Sequence, residues 1–259
     1  MTSHFLILPF KGENMSLQNI WQENFRVNWY DTDSNGQVKM SSIANYLQES
    51  AWRHARHMGF GFEDTQKRNE FWVIVALMVR MVDNPHWGKF ITVETWPKGI
   101  ERLFAFRDFR ILADDGTVIG AATSTWMILD QDTHRPKPVD IVKPMLHLAV
   151  RQDILETNPP HLQPFDNVTD SMNRQVQFSE VDFYKHVNNT RYIDWCLDAI
   201  PAEWHNQNSI RSMVINFLSE VRYAEHIRVE SSQDDGAMRF QGIREEDGKV
   251  IYRAEFGIG

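Results

Sequence analysis

Val27-Asn-Trp-Tyr-Asp-Thr-Asp33-Ser-Asn-Gly-Gln-Val38 and Val176-Gln-Phe-Ser-Glu-Val-Asp182-Phe-Tyr-Lys-His-Val187 are two versions of one stretch. Val27 and Val176, Asp33 and Asp182, and Val38 and Val187 are identical pairs, each 149 residues apart. Each stretch leads into a segment with helical spacing. Two further correspondences follow in the same order. Ile91-Thr-Val93-Glu94 matches Ile227-Arg-Val229-Glu230 at an offset of 136, and Asp115-Gly116-Thr-Val118-Ile119 matches Asp247-Gly248-Lys-Val250-Ile251 at 132. One such match is weak. Three in order, with a shrinking offset, mark a duplicated unit whose second copy has shorter loops.

The expected layout is a first copy over residues 20–150, a linker over 151–171 and a second copy over 172–259. Pro159, Pro160 and Pro164 mark the linker. Residues 1–19 read as a disordered extension, and Met15 offers a second start.

Within each copy the hydrophobic period changes once. Ser41 reads as the cap of a helix running to about His57. Ile43, Tyr46, Leu47, Ser50, Ala51 and His54 fall on one face of it. In the second copy Asn189 or Thr190 is the expected cap. Tyr192, Trp195, Cys196 and Ala199 form the face there, and Pro201 marks the end. The remainder reads as strands rich in β-branched and aromatic residues. They are Phe71–Met81, Phe90–Trp96, Leu103–Ala113 and Val118–Asp130, then Ser212–Val221, His226–Ser231, Arg239–Arg244 and Val250–Ile258. Asp114-Asp115-Gly116 and Glu246-Asp247-Gly248 are hairpin-turn signals. The expected class is α+β, each copy a strand, a helix and several antiparallel strands wrapped on that helix.

Composition narrows the function. The 259 residues carry 27 Lys+Arg against 35 Asp+Glu, a net charge of −8, which argues against nucleic-acid binding. A single cysteine, Cys196, excludes an internal disulfide framework and Cys-rich metal sites, and it suits a reducing compartment. We therefore expect a cytoplasmic protein. The longest apolar run, Phe71–Val79, is well short of the roughly 18 residues of a membrane span. Neither a G-x-S-x-G elbow nor a phosphate-binding glycine loop occurs. His54 and His57 have helical spacing for a metal but no matching carboxylate–His partner, so no metal or cofactor is expected.

Chemistry concentrates in Ser179-Glu-Val-Asp182-Phe-Tyr184-Lys-His186-Val-Asn188-Asn189-Thr-Arg-Tyr192. A carboxylate, an imidazole and two amides lie just before a helix start. Free N–H groups there can hold a carbonyl oxygen as it gains charge. A carboxylate can activate water, and a His or Asn can position it. The competing reading is a capped loop in which Asp182 and Asn189 satisfy backbone donors.

Asp182-x-x-x-His186-Val-Asn188-Asn189-x-x-Tyr192-Ile resembles the signature of acyl-acyl carrier protein thioesterases, a family of tandem hot dog folds. The likeness extends to Tyr46-Leu-Gln48-Glu49-Ser-Ala51-Trp52, Pro85-x-Trp87-Gly88, Val93-x-Thr95-Trp96-Pro97, Arg107-Asp108-Phe109 and Ser124-x-Trp126. It covers nearly the whole chain from about Phe25. It implies hydrolysis of fatty acyl-carrier-protein thioesters, with the site in the second copy and chain choice in the first. The implied catalytic set is Asp182 and His186, with Asn188 or Asn189 supplying an amide. A further carboxylate, on a later strand, falls on Glu220.

The sequence departs from the plant pattern twice. Tyr184 stands where plant members have Asn, and Val221 where they have Cys after the Glu. Cys196 reads as a buried apolar residue, which closes a thiol mechanism. In the first copy Gln37 stands where the second has His186, and Lys39-Met40 replaces Asn188-Asn189. Asp33 is thus read as a turn residue. The acyl tunnel is expected between the first copy's helix and sheet, among Trp52, Met58, Phe60, Phe71, Trp72 and Met78. Arg102, Arg107, Arg110, Arg135, Lys137 and Lys143 are candidate docking bases for the acidic carrier protein. The alternatives are a hot dog acyl-CoA thioesterase, a non-catalytic acyl binder and a hot dog hydratase, whose Asp-x-x-x-x-His spacing differs from that of Asp182 and His186. Both halves lie in one chain, so a monomer or a homodimer is expected.

Overall fold

The computed structural model describes residues 20–143, 154–155, 157–234 and 237–258. The first copy holds β1 (Trp21–Arg26), α1 (Met40–His57), α2 (Phe62–Gln66), β2 (Glu70–Met81), β3 (Phe90–Glu101), β4 (Phe104–Ala113), β5 (Val118–Asp130) and β6 (Pro136–Lys137). The second holds β7 (Asp170–Gln175), α3 (Asn189–Asp198), α4 (Ala202–His205), β8 (Ile210–Phe217), β9 (His226–Asp234), β10 (Ala237–Arg244) and β11 (Val250–Ile258). The strands form one sheet in the order β1-β3-β4-β5-β2-β8-β11-β10-β9-β7, with β6 beside β5.

That order reads the same from both ends once β2 is matched with β8, β5 with β11, β4 with β10, β3 with β9 and β1 with β7. The antiparallel β2–β8 pair joins the copies, and Met78 lies opposite Val214. These two residues are 136 apart, the offset of the Ile91 and Ile227 repeat. The repeat is therefore a pseudo-twofold axis through the middle of the sheet.

Each copy packs its helix on the sheet's inner face. Ile43, Tyr46, Leu47, Ser50, Ala51 and His54 are all buried along α1. Tyr192, Trp195 and Cys196 are buried along α3, whereas Ala199 is its half-buried C-cap. They join Val93, Phe109 and Ile111 of the first copy and Met213, Phe240 and Tyr252 of the second in one continuous core. Each large side chain so buried contributes about 1.5–3 kcal/mol.

Several boundaries differ from the sequence reading. Ser41 is not a cap: α1 starts at Met40, the N-cap position is Lys39, and Ser41 is buried in the first turn. The α3 cap is Asn188, one residue before the expected pair, and its side chain accepts from the Thr190 N–H at 3.0 Å. β3 continues to Glu101 because a register shift between Pro97 and Gly99 accommodates the proline. β9 and β10 also run longer than expected, to Asp234 and from Ala237. β8 stops at Phe217, because the Leu218 and Ser219 N–H groups both turn to Ile251 O. The N-terminal extension lies outside the described residues.

Candidate active site

The Asp182–His186 turn is built by its backbone. The Asp182 N–H donates to His186 O at 2.8 Å and the Lys185 N–H to Asp182 O at 3.0 Å. Asp182 Oδ1 accepts the Tyr184 N–H at 2.8 Å. Lys185 takes a left-handed φ of 64° to close the turn. The first copy repeats this wiring from Asp33 to Gln37, with Gly36 at φ 74°. Glycine occupies that conformation freely, whereas lysine does so at a cost. Asp33 thus serves as a turn residue, and Asp182 serves the same purpose with one oxygen only. Its other oxygen meets no partner among the described residues.

His186 Nε2 lies 3.2 Å from Glu220 Oε2. Glu220 is not on a strand as the family comparison implies. It sits three residues past β8, in the turn set by Leu218 and Ser219. The Val187 N–H donates to Val221 O at 2.8 Å, which fixes the two loops side by side. Arg222 Nη2 holds the other Glu220 oxygen at 3.3 Å. Asn188 Oδ1 is committed to the α3 cap, which leaves its amide NH2 available. The Asn189 N–H, at the first position of α3, has no backbone acceptor among the described residues.

Asp182, His186, Asn188, Asn189 and Glu220 all line one cavity of about 1420 Å³. The structure thus brings all five sequence-derived candidates together. The cavity continues past Phe217 and Leu218 into the first copy, against Ala51, Trp52, Ala55, Phe60, Phe71, Trp72, Trp126 and Val142. Apolar walls leading to a polar end are the ordinary form of a ligand site. Trp52, Phe60, Phe71 and Trp72 line it as expected. Met58 and Met78 do not: both are buried in the packed interior away from it.

Tyr184 roofs the polar end. Its ring lies 5.6 Å from Phe183 and 6.1 Å from both Phe62 of α2 and Phe71 of β2. Burial, and then the nearby Asp182 charge, raise its phenol pKa above the ordinary value. Cys196 is fully buried in α3, and burial pushes its thiol pKa up, away from thiolate chemistry.

The equivalent place in the first copy is filled. Asn35 Nδ2 donates to His205 O at 2.6 Å, Ser209 Oγ donates to Gln37 Oε1 at 3.1 Å, and Asn84 Nδ2 donates to Ile210 O at 3.1 Å. Gln37 and Asn84 occupy the positions of His186 and Glu220. The second copy's α4 segment therefore closes the site that α2 leaves open on the other side.

Among the docking bases, Arg107 is corrected. It is buried on the inner face of β4, bonded to Thr95 and His54, and it cannot meet a partner protein. Period-two reading of Arg107, Phe109 and Ile111 carries that signal. Arg110 pairs with Glu94, Lys137 with Asp130 at 3.1 Å and Lys143 with Asp140 at 2.6 Å, while Arg102 and Arg135 are exposed. No group of metal-ligating side chains occurs among the described residues. No helix among them is long and apolar enough to cross a membrane.

Two family models match the chain. The acyl-ACP thioesterase N-terminal domain matches residues 18–145, and the acyl-ACP thioesterase C-terminal domain matches residues 166–256. Oleoyl-acyl carrier protein thioesterase 1 of Arabidopsis thaliana is 30% identical over 218 residues, covering 77% of this chain and 60% of that protein. The palmitoyl-acyl carrier protein thioesterase of the same plant is 26% identical over 237 residues, covering 84% and 56%. The chain thus spans little more than half the length of these relatives. Among solved structures, an acyl-ACP thioesterase from Bacteroides thetaiotaomicron superposes with a TM-score of 0.83 at 24% identity, covering 93% of this chain and 98% of that one. The 12:0-ACP thioesterase from Umbellularia californica gives 0.81 at 20%, covering 93% and 97%. These two likenesses establish the double hot dog fold, and with both domain models matched in order, the chain belongs to the acyl-ACP thioesterase family.

Proposed function

We propose that this protein hydrolyses fatty acyl-acyl carrier protein thioesters to free fatty acid and carrier protein. One observation carries the reading. The His186–Glu220 pair and the start of α3 stand at one end of a cavity that runs into the first copy against Ala51, Trp52, Ala55, Phe60, Trp72 and Trp126. An acyl chain fills the apolar part and leaves its carbonyl at that end.

The reaction follows from the residues there. Glu220, oriented by His186, takes a proton from water as the water oxygen attacks the thioester carbonyl. The oxyanion is held by the Asn189 N–H and the Asn188 amide, where the α3 dipole adds positive potential. The tetrahedral species collapses, the C–S bond breaks, and the proton passes to sulfur, releasing carrier thiol. Asp182 keeps the turn in shape and adds negative charge beside His186.

The acidic carrier protein docks where exposed bases lie, and Arg102 and Arg135 remain candidates for it. One chain supplies both halves of the site, so a monomer suffices. The single, buried Cys196 fits a cytoplasmic location.

The test is thiol release by purified protein from acyl-carrier-protein and acyl-CoA thioesters of one chain length. We expect release from the carrier-protein thioester, abolished by Glu220→Ala. Equal rates with both carriers would remove carrier-protein recognition. Tight acyl binding without thiol release would make it a binding protein.

A further inference from the structure

Each copy carries an exposed pair of aromatic rings at the same place. Trp29 and Trp87 stand 5.1 Å apart, edge to face, in the first copy, and Phe178 and Tyr223 stand 6.2 Å apart in the second. The backbone around the two pairs is wired alike. The Gly88 N–H donates to Val27 O as the Ala224 N–H does to Val176 O. The charges are not alike. Arg26 lies beside Phe90 in the β1–β3 ladder, the Lys89 carbonyl accepts the Val27 N–H, and the Lys39 N–H donates to Asp31 O. The second copy has Gln175, Glu225 and Asn188 at these three positions.

None of the three bases has a side-chain hydrogen bond or an ion pair among the described residues. The acids of the same loops are committed locally. Asp31 is buried and accepts from Asn28, and Asp33 accepts the Asn35 and Gln37 N–H groups. The second copy builds the same turns without the bases, so the fold does not require them. Like charges held together repel one another, and an acidic partner relieves that cost. Trp29 is 73% exposed and Tyr30 74%. Solvent-facing tryptophan and tyrosine with an arginine beside them have the make-up of a protein interface.

The patch also adjoins the cavity, because Asn28 and Tyr30 border both. From Lys39, at the N-cap of α1, to Gln48 is nine residues, about 14 Å of helix. Gln48 and Asn189 share the wall of a small apolar pocket between α1 and α3. An arm laid along α1 therefore spans the way from the patch to the start of α3. We propose that the acidic carrier protein docks on the first copy, over Trp29, Trp87, Arg26, Lys39 and Lys89, and passes its acyl arm to the site in the second. This rests on the thioesterase reading above. One copy then holds the chemistry and the other the carrier. A lipid surface could use the same rings and charges, but it has no arm to deliver into the cavity.

The experiment is calorimetric binding of purified bacterial holo-acyl carrier protein to the whole protein. Lys39→Glu with Lys89→Glu should raise Kd about tenfold or more, and so should Trp29→Ser with Trp87→Ser. Phe178→Ser with Tyr223→Ser should leave Kd unchanged. Equal affinity in the lysine variant, no binding by the wild type, or the reverse pattern between the two aromatic pairs would overturn the proposal. Capture of phosphatidylglycerol vesicles through the lysines, with carrier binding unaltered, would also overturn it and mark a membrane face. Should the tryptophan variant not fold, the lysine variant decides. Binding is read without hydrolysis. Carrier binding through the patch without thiol release from the acylated carrier would refute the thioesterase reading and leave the docking surface standing. Thiol release by a protein whose carrier binding ignores the patch would do the reverse.

Discussion

His186 Nε2 stands 3.2 Å from Glu220 Oε2, and the two residues reach each other from different loops held together by the Val187–Val221 hydrogen bond. In the proposed hydrolysis this pair supplies the base. Glu220→Ala should lower kcat by about 10²–10⁴-fold, the usual contribution of a positioned base. Glu220 is exposed, so the melting temperature should stay unchanged. Steady-state thiol release and thermal unfolding, measured on one preparation, check both halves of the expectation.

Asp182 separates charge from structure. Asp182→Asn keeps an oxygen for the Tyr184 N–H and removes the charge, so activity should fall while stability holds. Asp182→Ala loses both and should cost about 1 kcal/mol more, or roughly 2–4 °C of Tm for a chain of this size. Equal Tm values for the two variants would show that the 2.8 Å turn bond contributes nothing.

Restoring the missing residues of the first copy should not create a second site. Gln37→His together with Asn84→Glu recreates the pair and removes the Gln37–Ser209 and Asn84–Ile210 bonds, yet the Asn35 contact with His205 still holds the second copy against this face. In a Glu220→Ala background the double variant should remain inactive. Recovered thiol release would mean that this face opens.

Cys196 should resist alkylation. Its thiol is buried in α3 and its pKa lies above the ordinary value, so iodoacetamide should modify it only on denaturation, and thiol reagents should leave activity intact. Cys196→Ala should cost about 1 kcal/mol through lost packing. Mass spectrometry of native and denatured protein after labelling gives the answer.

Alkaline pH should destabilise the fold. Burial holds the phenols of Tyr46, Tyr184, Tyr192 and Tyr252 above their ordinary pKa. The unfolded chain releases these protons near pH 10 while the folded chain retains them. The folded state then binds more protons, so stability falls as pH rises above about 10. Absorbance at 295 nm should stay short of the amplitude for all six tyrosines until unfolding, tracked by circular dichroism, supplies the rest.

Repetition made the architecture legible in the sequence. Turn chemistry recurs wherever the backbone does, so Asp33 and Asp182, or Gly116 and Gly248, survive as matching marks. Val118–Asp130 and Val250–Ile258 were readable to the residue, because Gly-containing turns bound them and β-branched residues fill them. Lys39 was invisible as a cap position, since its side chain makes no capping bond, and Ser41 offered a false one. The end of β8 was hidden because Leu218 and Ser219 look like strand residues, and only their bond to the distant Ile251 breaks the ladder. Asp182, His186, Asn188 and Asn189 were visible as chemical types near a helix start, whereas Glu220 came from the family resemblance alone. The closure of the matching first-copy site was not visible, since it depends on contacts such as Asn35 with His205, some 170 residues apart.

The β2–β8 seam has a consequence for synthesis. Ala76, Leu77, Met78 and Val79 pair with residues 213–216, which the ribosome delivers more than 130 residues later. Until then the first copy carries a bare, apolar sheet edge, the kind of surface that invites pairing between nascent chains. A chaperone that shields open strand edges should therefore matter more to the yield of this protein than to its final stability.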